Sequence, residues 1–221
     1  METERFYPNG RASRGGPARS LRVLMGSVLA KAKCRYAGGM LKAMPLATHI
    51  SVEEYLRTAY DPDCEYVDGE VLERNLGEQD HSLVQGRIYF YFQSRAKEFR
   101  ICVFPEWRTQ VSETRFRVPD VCVLRAPLRR SRILTTPPYI LIEILSPEDT
   151  WRRMQERIDD YRRFSVENLW VVDPAERRAW RVLAGLAEEC TDLMLTTTDG
   201  AVTLPLPEIF AAIDDEMTAG S

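Results

Sequence analysis

The stretch YILIEILSPED (Tyr139–Asp149) decides the fold that the sequence predicts. Its first part is apolar on both faces apart from Glu143, which is typical of a central strand covered on both sides. Earlier in the chain, RFRVPDVCVL (Arg115–Leu124) predicts a second apolar strand, and Asp120 interrupts it directly behind Pro119. The sequence therefore places one carboxylate in each of two strands that otherwise look buried.

Helix and strand patterns surround these two strands. Before them the sequence predicts a short helix capped by Ser51, a hairpin about Asp68-Gly69, and an amphipathic helix over 78–99 with Asp80 as its N-cap and His81 in its first turn. After them it predicts a helix over 146–164, two strands within 168–183 and a closing helix over 206–214. This order predicts an α/β (α+β) domain with a central mixed β-sheet flanked by helices.

The charge is unevenly distributed along the chain. Residues 1–44 hold nine Lys and Arg residues and two acids, whereas the rest holds 21 basic and 31 acidic residues. We expect residues 1–44 to be a basic, disordered N-terminal extension, and residues 45–216 to form the folded domain. The net charge of −10 on the rest of the chain disfavours tight nucleic-acid binding, unless a local basic groove exists within it.

Composition narrows the class of protein. The hydrophobic share of 44% is that of a globular protein, and no apolar run approaches the ~18 residues that a membrane span requires. The five cysteines are scattered without paired spacing, which argues against a disulfide framework and against a zinc site. We therefore expect a protein of the reducing cytoplasm, with no membrane partner.

The two strand carboxylates, Asp120 and Glu143, need a physical explanation. A lone buried carboxylate costs several kcal/mol unless it is neutralised or paired, and two in neighbouring strands repel each other. A divalent cation between them relieves both effects, and Mg²⁺ binds to one or two carboxylates while it keeps several waters. The pattern therefore indicates a metal site.

Several motifs in this order resemble a known family. VPDVCVL (118–124), LIEILSPED (141–149), a charged helix and NLWVVDP (168–174) follow one another as in the PD-(D/E)XK nuclease superfamily. More narrowly, the chain resembles the bacterial restriction endonuclease-like group, a former domain of unknown function, which EYVDGEVLE (65–73), the histidine that opens the first long helix, and LPEIF (206–210) also match. The resemblance covers about residues 48–214 and implies a restriction endonuclease-like core.

The resemblance also implies a site and a reaction. Asp120, Glu143 and the carbonyl of Ile144 would bind Mg²⁺ or Mn²⁺, with His81 as a further ligand, and Asp120, Glu143 and Arg157 would form the catalytic set. The implied reaction is hydrolysis of phosphodiester bonds in DNA by an endonuclease, in which the metal generates hydroxide and stabilises the leaving oxygen. Since such nucleases often cut two strands with two subunits, the resemblance favours a homodimer.

The chain departs from the superfamily at its lysine. Leu145 stands where the motif has Lys, and Arg157 stands where the resembling family has it on the following helix. Arginine stays protonated, so it can bind phosphate but cannot act as a base. A catalytically degenerate nuclease fold that serves as a binding or assembly module is therefore the alternative, and an enzyme acting on RNA or a small phosphodiester is a second one.

Structural explanations stay open for most of these residues. Asp120 could bond to backbone, Glu143 could pair with an arginine of the next helix, and His81 could be a packed residue. Glu65 and Glu70 are expected to be surface acids, although either could reach the mouth of the site. Four further arginines are expected to form a solvated helix face rather than a DNA track: Arg152, Arg153, Arg162 and Arg163.

Overall fold

The computed structural model describes residues 35–36, 49–75, 78–183 and 185–218. Its helices are α1 (Val52–Arg57), α2 (Gln79–Ser94), α3 (Ala96–Phe99), α4 (Trp151–Arg163) and α5 (Leu206–Thr218). Its strands are β1 (Arg35–Tyr36), β2 (Tyr60–Asp61), β3 (Cys64–Val67), β4 (Glu70–Glu73), β5 (Ile101–Pro105), β6 (Thr109–Ser112), β7 (Arg115–Arg117), β8 (Val121–Arg125), β9 (Ile140–Ile144), β10 (Asn168–Asp173), β11 (Arg178–Leu183), β12 (Leu186–Glu189), β13 (Met194–Thr196) and β14 (Thr203–Pro205). Apart from β1, the predicted extension over 1–44 lies outside the described residues.

The centre of the fold is a six-stranded sheet in the order β12-β11-β10-β9-β8-β5. Strands β9 and β10 are parallel, and the other neighbouring pairs are antiparallel. Helix α4 connects the parallel pair, as a parallel connection requires. The predicted mixed sheet is therefore confirmed, with ILIEI (Ile140–Ile144) as its buried strand β9.

Helices cover both faces of this sheet and bury the apolar side chains of β9. Ile140, Ile142 and Ile144 point to the face that α2 and α5 cover. Leu141 points to the opposite face, where Met154 of α4 packs against it. Because successive side chains of a strand alternate between faces, Glu143 lies on the α4 face together with Leu141.

A second, four-stranded sheet in the order β4-β3-β7-β6 corrects part of the strand prediction. The run RFRVPDVCVL is not one strand, because it divides into β7 in this sheet and β8 in the central sheet, on either side of Pro119. The run before it divides in the same way between β5 and β6, at Glu106, whose φ of 49° is left-handed. In both places the backbone turns from one sheet to the other.

Of the two helix caps and one turn that the sequence predicts, one cap and the turn are confirmed. The Ser51 side chain accepts a hydrogen bond from the Glu54 amide at 3.2 Å and caps α1. Asp68 and Gly69, with φ of 50° and 101°, form the turn between β3 and β4. Asp80 is not the N-cap of α2, because the helix already begins at Gln79 behind an extended Glu78.

The cysteines of the described residues are in two states. Cys64 is disulfide-bonded, which is not the framework of several disulfides that the scattered spacing argued against. Cys102, Cys122 and Cys190 are free thiols. Across the described ranges no helix is long and apolar enough to cross a membrane.

Candidate active site

The fold brings Asp120 and Glu143 side by side. Val121 of β8 pairs with Ile142 of β9 in antiparallel register, so the next position along the ladder sets Asp120 opposite Glu143. Asp120 lies directly before β8 rather than inside a continuous strand, and its side chain accepts a hydrogen bond from the Ile144 amide at 2.7 Å. Both carboxylates are almost completely buried.

Two basic side chains also contact Asp120. Arg74 Nη2 lies 3.1 Å from Asp120 Oδ1, and His81 Nε2 lies 3.4 Å from Oδ2. Burial alone would raise the pKa of Asp120, but the hydrogen bond and charge of His81 and the charge of Arg74 outweigh it and lower the pKa. Asp120 is therefore an anion held by Arg74, His81 and one backbone amide.

Glu143 has partners from α4 and a different charge state. Tyr161 donates a hydrogen bond to Oε1 at 2.5 Å, and Arg157 donates to Oε2 at 3.3 Å. Burial raises the pKa of Glu143 to about 8, against the opposing charge of Arg157 and with the added repulsion of Asp120. The pairing with an arginine of the next helix is the structural alternative that the sequence left open.

Arg157 lies at the centre of a buried group of acids. Its guanidinium is 3.3 Å from Glu143, 3.7 Å from Glu65 and 3.8 Å from Asp149. Glu65 is only 2% exposed and pairs with Arg117 at 2.7 Å, so the expectation of a surface acid is wrong. Glu65 lies in β3, between β4 and β7, and its side chain is buried.

The buried network continues beyond Glu65. Arg117 is 3% exposed and donates to Asp160 of α4 through two nitrogens, at 2.9 and 2.7 Å. Arg115 also contacts Asp160, at 2.8 Å, and reaches Asp68 at the turn of the hairpin. A chain of ion pairs, in which acids and arginines alternate, therefore runs from the hairpin turn to Glu143. It attaches the four-stranded sheet to α4.

A cavity of about 130 Å³ opens beside the two carboxylates. Its walls are polar, and they are formed by Arg74, Asn75, His81, Ser82, Gln85, Glu106, Val118, Asp120, Glu143, Ile144, Ser146, Asp149 and Arg157. All the predicted site residues thus line one space: His81, Asp120, Glu143, Ile144 and Arg157. A space of this size admits a hydrated cation or part of a phosphodiester.

His81 lies in the first turn of α2 and is buried at the cavity wall. Burial lowers the pKa of an imidazole, but the hydrogen bond to Asp120 outweighs this effect and raises the pKa of His81. Its second nitrogen, Nδ1, is buried without a hydrogen-bond partner among the described residues. His81 as a residue lines the cavity, which is compatible with a ligand role.

The oxygen ligands that Asp120 and Glu143 offer are of the kind that a hard divalent cation prefers. No three His, Cys, Asp or Glu side chains in the described part of the chain are grouped as a ready-made metal site. Mg²⁺ needs only one or two carboxylates besides water, and Asp120 and Glu143 supply that number side by side. Burial raises the pKa of Glu143, and a bound cation would favour its ionised form.

Sequence reasoning missed Arg74, Glu65 and Asp149 as site residues. Asp149 accepts hydrogen bonds from the Ser146 amide at 2.9 Å and from Asn75 at 3.0 Å, so it closes the loop after β9. Its place within the quoted motif LIEILSPED was the one available signal. Arg74 follows a hairpin strand far away in sequence, and nothing local marks it.

The four arginines expected on a solvated helix face divide into two groups. Arg152, Arg162 and Arg163 contact acids of the same helix, as expected of such a face. Arg153 differs, because it donates to the Glu73 carbonyl at 2.8 Å and to Asn75 at 3.3 Å. It therefore attaches α4 to the end of the hairpin.

Comparisons with known proteins show which family and which fold the chain resembles. The model of the Uma2 family, described as "Putative restriction endonuclease", matches residues 52–213. Among solved structures, the chain resembles the crystal structure of a putative nuclease belonging to DUF820 from Anabaena variabilis ATCC 29413. That match has a TM-score of 0.65 and 22% identity, and it covers 74% of this chain and 99% of the other. No curated protein matches the chain.

Proposed function

The chain belongs to the Uma2 family, and from this premise we propose that it is a metal-dependent endonuclease that hydrolyses phosphodiester bonds in DNA. One observation carries the proposal: Asp120 before β8 and Glu143 in β9 lie side by side at one polar cavity. Arg157 from the following helix lines the same cavity and contacts Glu143. This is the order and placement that the resemblance implies for a nuclease site.

We assign the metal to Asp120 and Glu143, with His81 and the carbonyl of Ile144 as further ligands. A bound Mg²⁺ or Mn²⁺ would supply positive charge to the phosphate oxygens and make a water molecule more acidic. The protein contributes the fixed position of the carboxylates. The Ile144 amide orients Asp120, and Tyr161 orients Glu143.

Arg157 takes the place of the lysine in this proposal. Its guanidinium cannot accept a proton, so it serves as a fixed positive charge that holds Glu143 and faces the phosphate. Its three carboxylate partners keep it in the cavity wall. The proton of the attacking water must therefore pass to another group or to solvent.

Residues 45–216 would form the nuclease domain, with residues 1–44 as a basic extension. DNA is proposed over RNA from the resemblance alone, and the homodimer rests on the same ground. The cytoplasmic localisation remains a prediction from the sequence.

One observation favours the alternative of a catalytically degenerate binding or assembly module. Protein cations already hold both carboxylates, since Arg74 contacts Asp120 and Arg157 contacts Glu143. Such pairs satisfy the carboxylates without a metal. A module of this kind would keep its fold and its partner when both acids are replaced.

Cleavage of plasmid and single-stranded DNA with Mg²⁺ or Mn²⁺ tests the proposal. Wild type is compared with Asp120→Asn, which keeps the side-chain shape, and with Glu188→Gln, an exposed acid of β12 as matched control. We expect cutting that needs metal, persists in Glu188→Gln and falls at least ~100-fold in Asp120→Asn.

The controls separate the outcomes. Cutting by Asp120→Asn at the wild-type rate would show contamination or another site, and the assignment would fail. If wild type binds no metal and cuts neither DNA nor RNA, the binding-module alternative replaces the nuclease proposal.

A further inference from the structure

Arg74 is a cation at the entrance of the cavity that the family resemblance does not assign. It follows β4, and its side chain is 15% exposed. One nitrogen contacts the buried Asp120 at 3.1 Å, and the other contacts Glu106 at 3.0 Å. The side chain of Glu106 is 52% exposed. Arg74 therefore links an acid at the surface to the buried carboxylate that would bind a metal.

Asp120 has more positive partners than its single charge requires. Arg74, His81 and the Ile144 amide all contact its two oxygens. A divalent cation on Asp120 would repel a guanidinium only a few ångströms away, since like charges disfavour each other strongly in a buried site. The contact between Arg74 and Asp120 is therefore the one that metal binding weakens.

We propose that Arg74 is a phosphate-binding residue: when a divalent cation occupies Asp120, the guanidinium of Arg74 exchanges this carboxylate for an oxygen of the substrate's phosphodiester group. Its planar fork suits two oxygens of a phosphate. Glu106 keeps the guanidinium at the cavity mouth during the exchange. This inference rests on the metal site of the proposed function.

The other arginines near the site are less free to exchange partners. Arg157 is held by three carboxylates and is only 8% exposed. Arg153 donates to the Glu73 carbonyl and Asn75, and it does not line the cavity. Arg74 has one buried acid and one exposed acid, so the loss of Asp120 frees its Nη2 group to donate to another acceptor.

Binding of inorganic phosphate and of Ca²⁺, measured by calorimetry, tests the proposal without requiring turnover. Wild type is compared with Arg74→Ala, Arg74→Lys, and Arg178→Ala, which removes an arginine of an exposed ion pair elsewhere. Circular dichroism and urea unfolding establish that each variant is folded.

We expect two changes of opposite sign in Arg74→Ala. With Ca²⁺ present, phosphate binding weakens about tenfold or more, because a charged hydrogen-bond donor is lost. Without phosphate, Ca²⁺ binds more tightly than in wild type, because a competing cation on Asp120 is gone. We expect Arg74→Lys to have phosphate and Ca²⁺ affinities between those of wild type and Arg74→Ala, and Arg178→Ala to match wild type.

Each other outcome is decisive. Phosphate binding that is unchanged in a folded Arg74→Ala overturns the inference, as does weaker Ca²⁺ binding, which would mean that Arg74 only positions Asp120. A wild type that binds no Ca²⁺ overturns it too. If the two opposite changes appear but no nucleic acid is cut, the inference stands and the nuclease proposal fails.

Discussion

Replacing Glu143 with Gln tests the charge state of the candidate site in the absence of metal. Burial raises the pKa of Glu143 from 4.5 to about 8, and the negative charge of Asp120 adds to this effect while Arg157 opposes it. Tyr161 donates to the carboxyl at 2.5 Å, and glutamine keeps an oxygen in the same place. The substitution therefore removes the titration while it preserves the packing.

The sign of the effect follows from proton linkage. The folded state holds the Glu143 proton more tightly than the unfolded chain, so the free energy of unfolding falls from about pH 4.5 to about pH 8 and then levels off. About 3.5 pH units at about 1.4 kcal/mol each set a ceiling of ~5 kcal/mol. Relaxation and water entry reduce such values, and we expect a fall of ~2 kcal/mol.

Urea unfolding in EDTA, followed by tryptophan fluorescence between about pH 5.5 and about pH 9, measures this fall. The quantity of interest is the stability of wild type minus that of Glu143→Gln, because most other titrations cancel in it. We expect this difference to decrease by ~2 kcal/mol as pH rises. Glu188→Gln, at an exposed position of β12, should run parallel to wild type.

Added Mg²⁺ extends the test. A cation favours the ionised carboxylate, so saturating Mg²⁺ should stabilise wild type most at high pH and should stabilise Glu143→Gln much less. A difference that is constant with pH, or that grows as pH rises, would refute the reasoning, because Glu143 would then be ionised and satisfied by Arg157 without metal.

Substitutions at three further positions test other parts of the site. Arg157→Lys keeps the positive charge and should cleave within about tenfold of wild type, whereas Arg157→Met should lose ~100-fold or more, as measured by initial cleavage rates. Arg117→Met leaves two buried acids without their main partner and should lower the free energy of unfolding in urea by ~3 kcal/mol or more, against ~0.5 kcal/mol for Arg152→Ala on the helix surface. Tyr161→Phe removes the hydrogen bond to Glu143 and should cost ~1–2 kcal/mol in the same assay.

The parts of the fold that were predictable depend on patterns within one element. Strand β9 is apolar at every position except Glu143, and this pattern alone indicates a strand covered on both faces. The apolar stripe of α4 is equally local, and Met154, Ile158 and Tyr161 do face the sheet. Asp120 and Glu143 were found for the same reason, since each is an isolated acid in such a pattern.

The parts that were not predictable depend on contacts between distant segments. Cys64, Glu65 and Tyr66 are consecutive and all buried, because β3 lies inside a sheet that local periodicity does not reveal. Arg74 meets Asp120 across 46 positions of sequence. The division of one apolar run into β7 and β8 has the same origin, because the partner strands determine it rather than the run itself.

Arg157, at the position where the resemblance implies a lysine, makes physical sense within the buried network. A lysine offers one compact charge, whereas the guanidinium of Arg157 reaches Glu65, Glu143 and Asp149 at once. With Arg157 fixed in this way, the site retains one exchangeable cation, Arg74, among those that line the described cavity beside Asp120. The departure at Arg157 therefore does not by itself predict an inactive protein. In the proposed function Arg74 would supply the mobile positive charge that binds phosphate, and binding measurements on Arg74 variants test this.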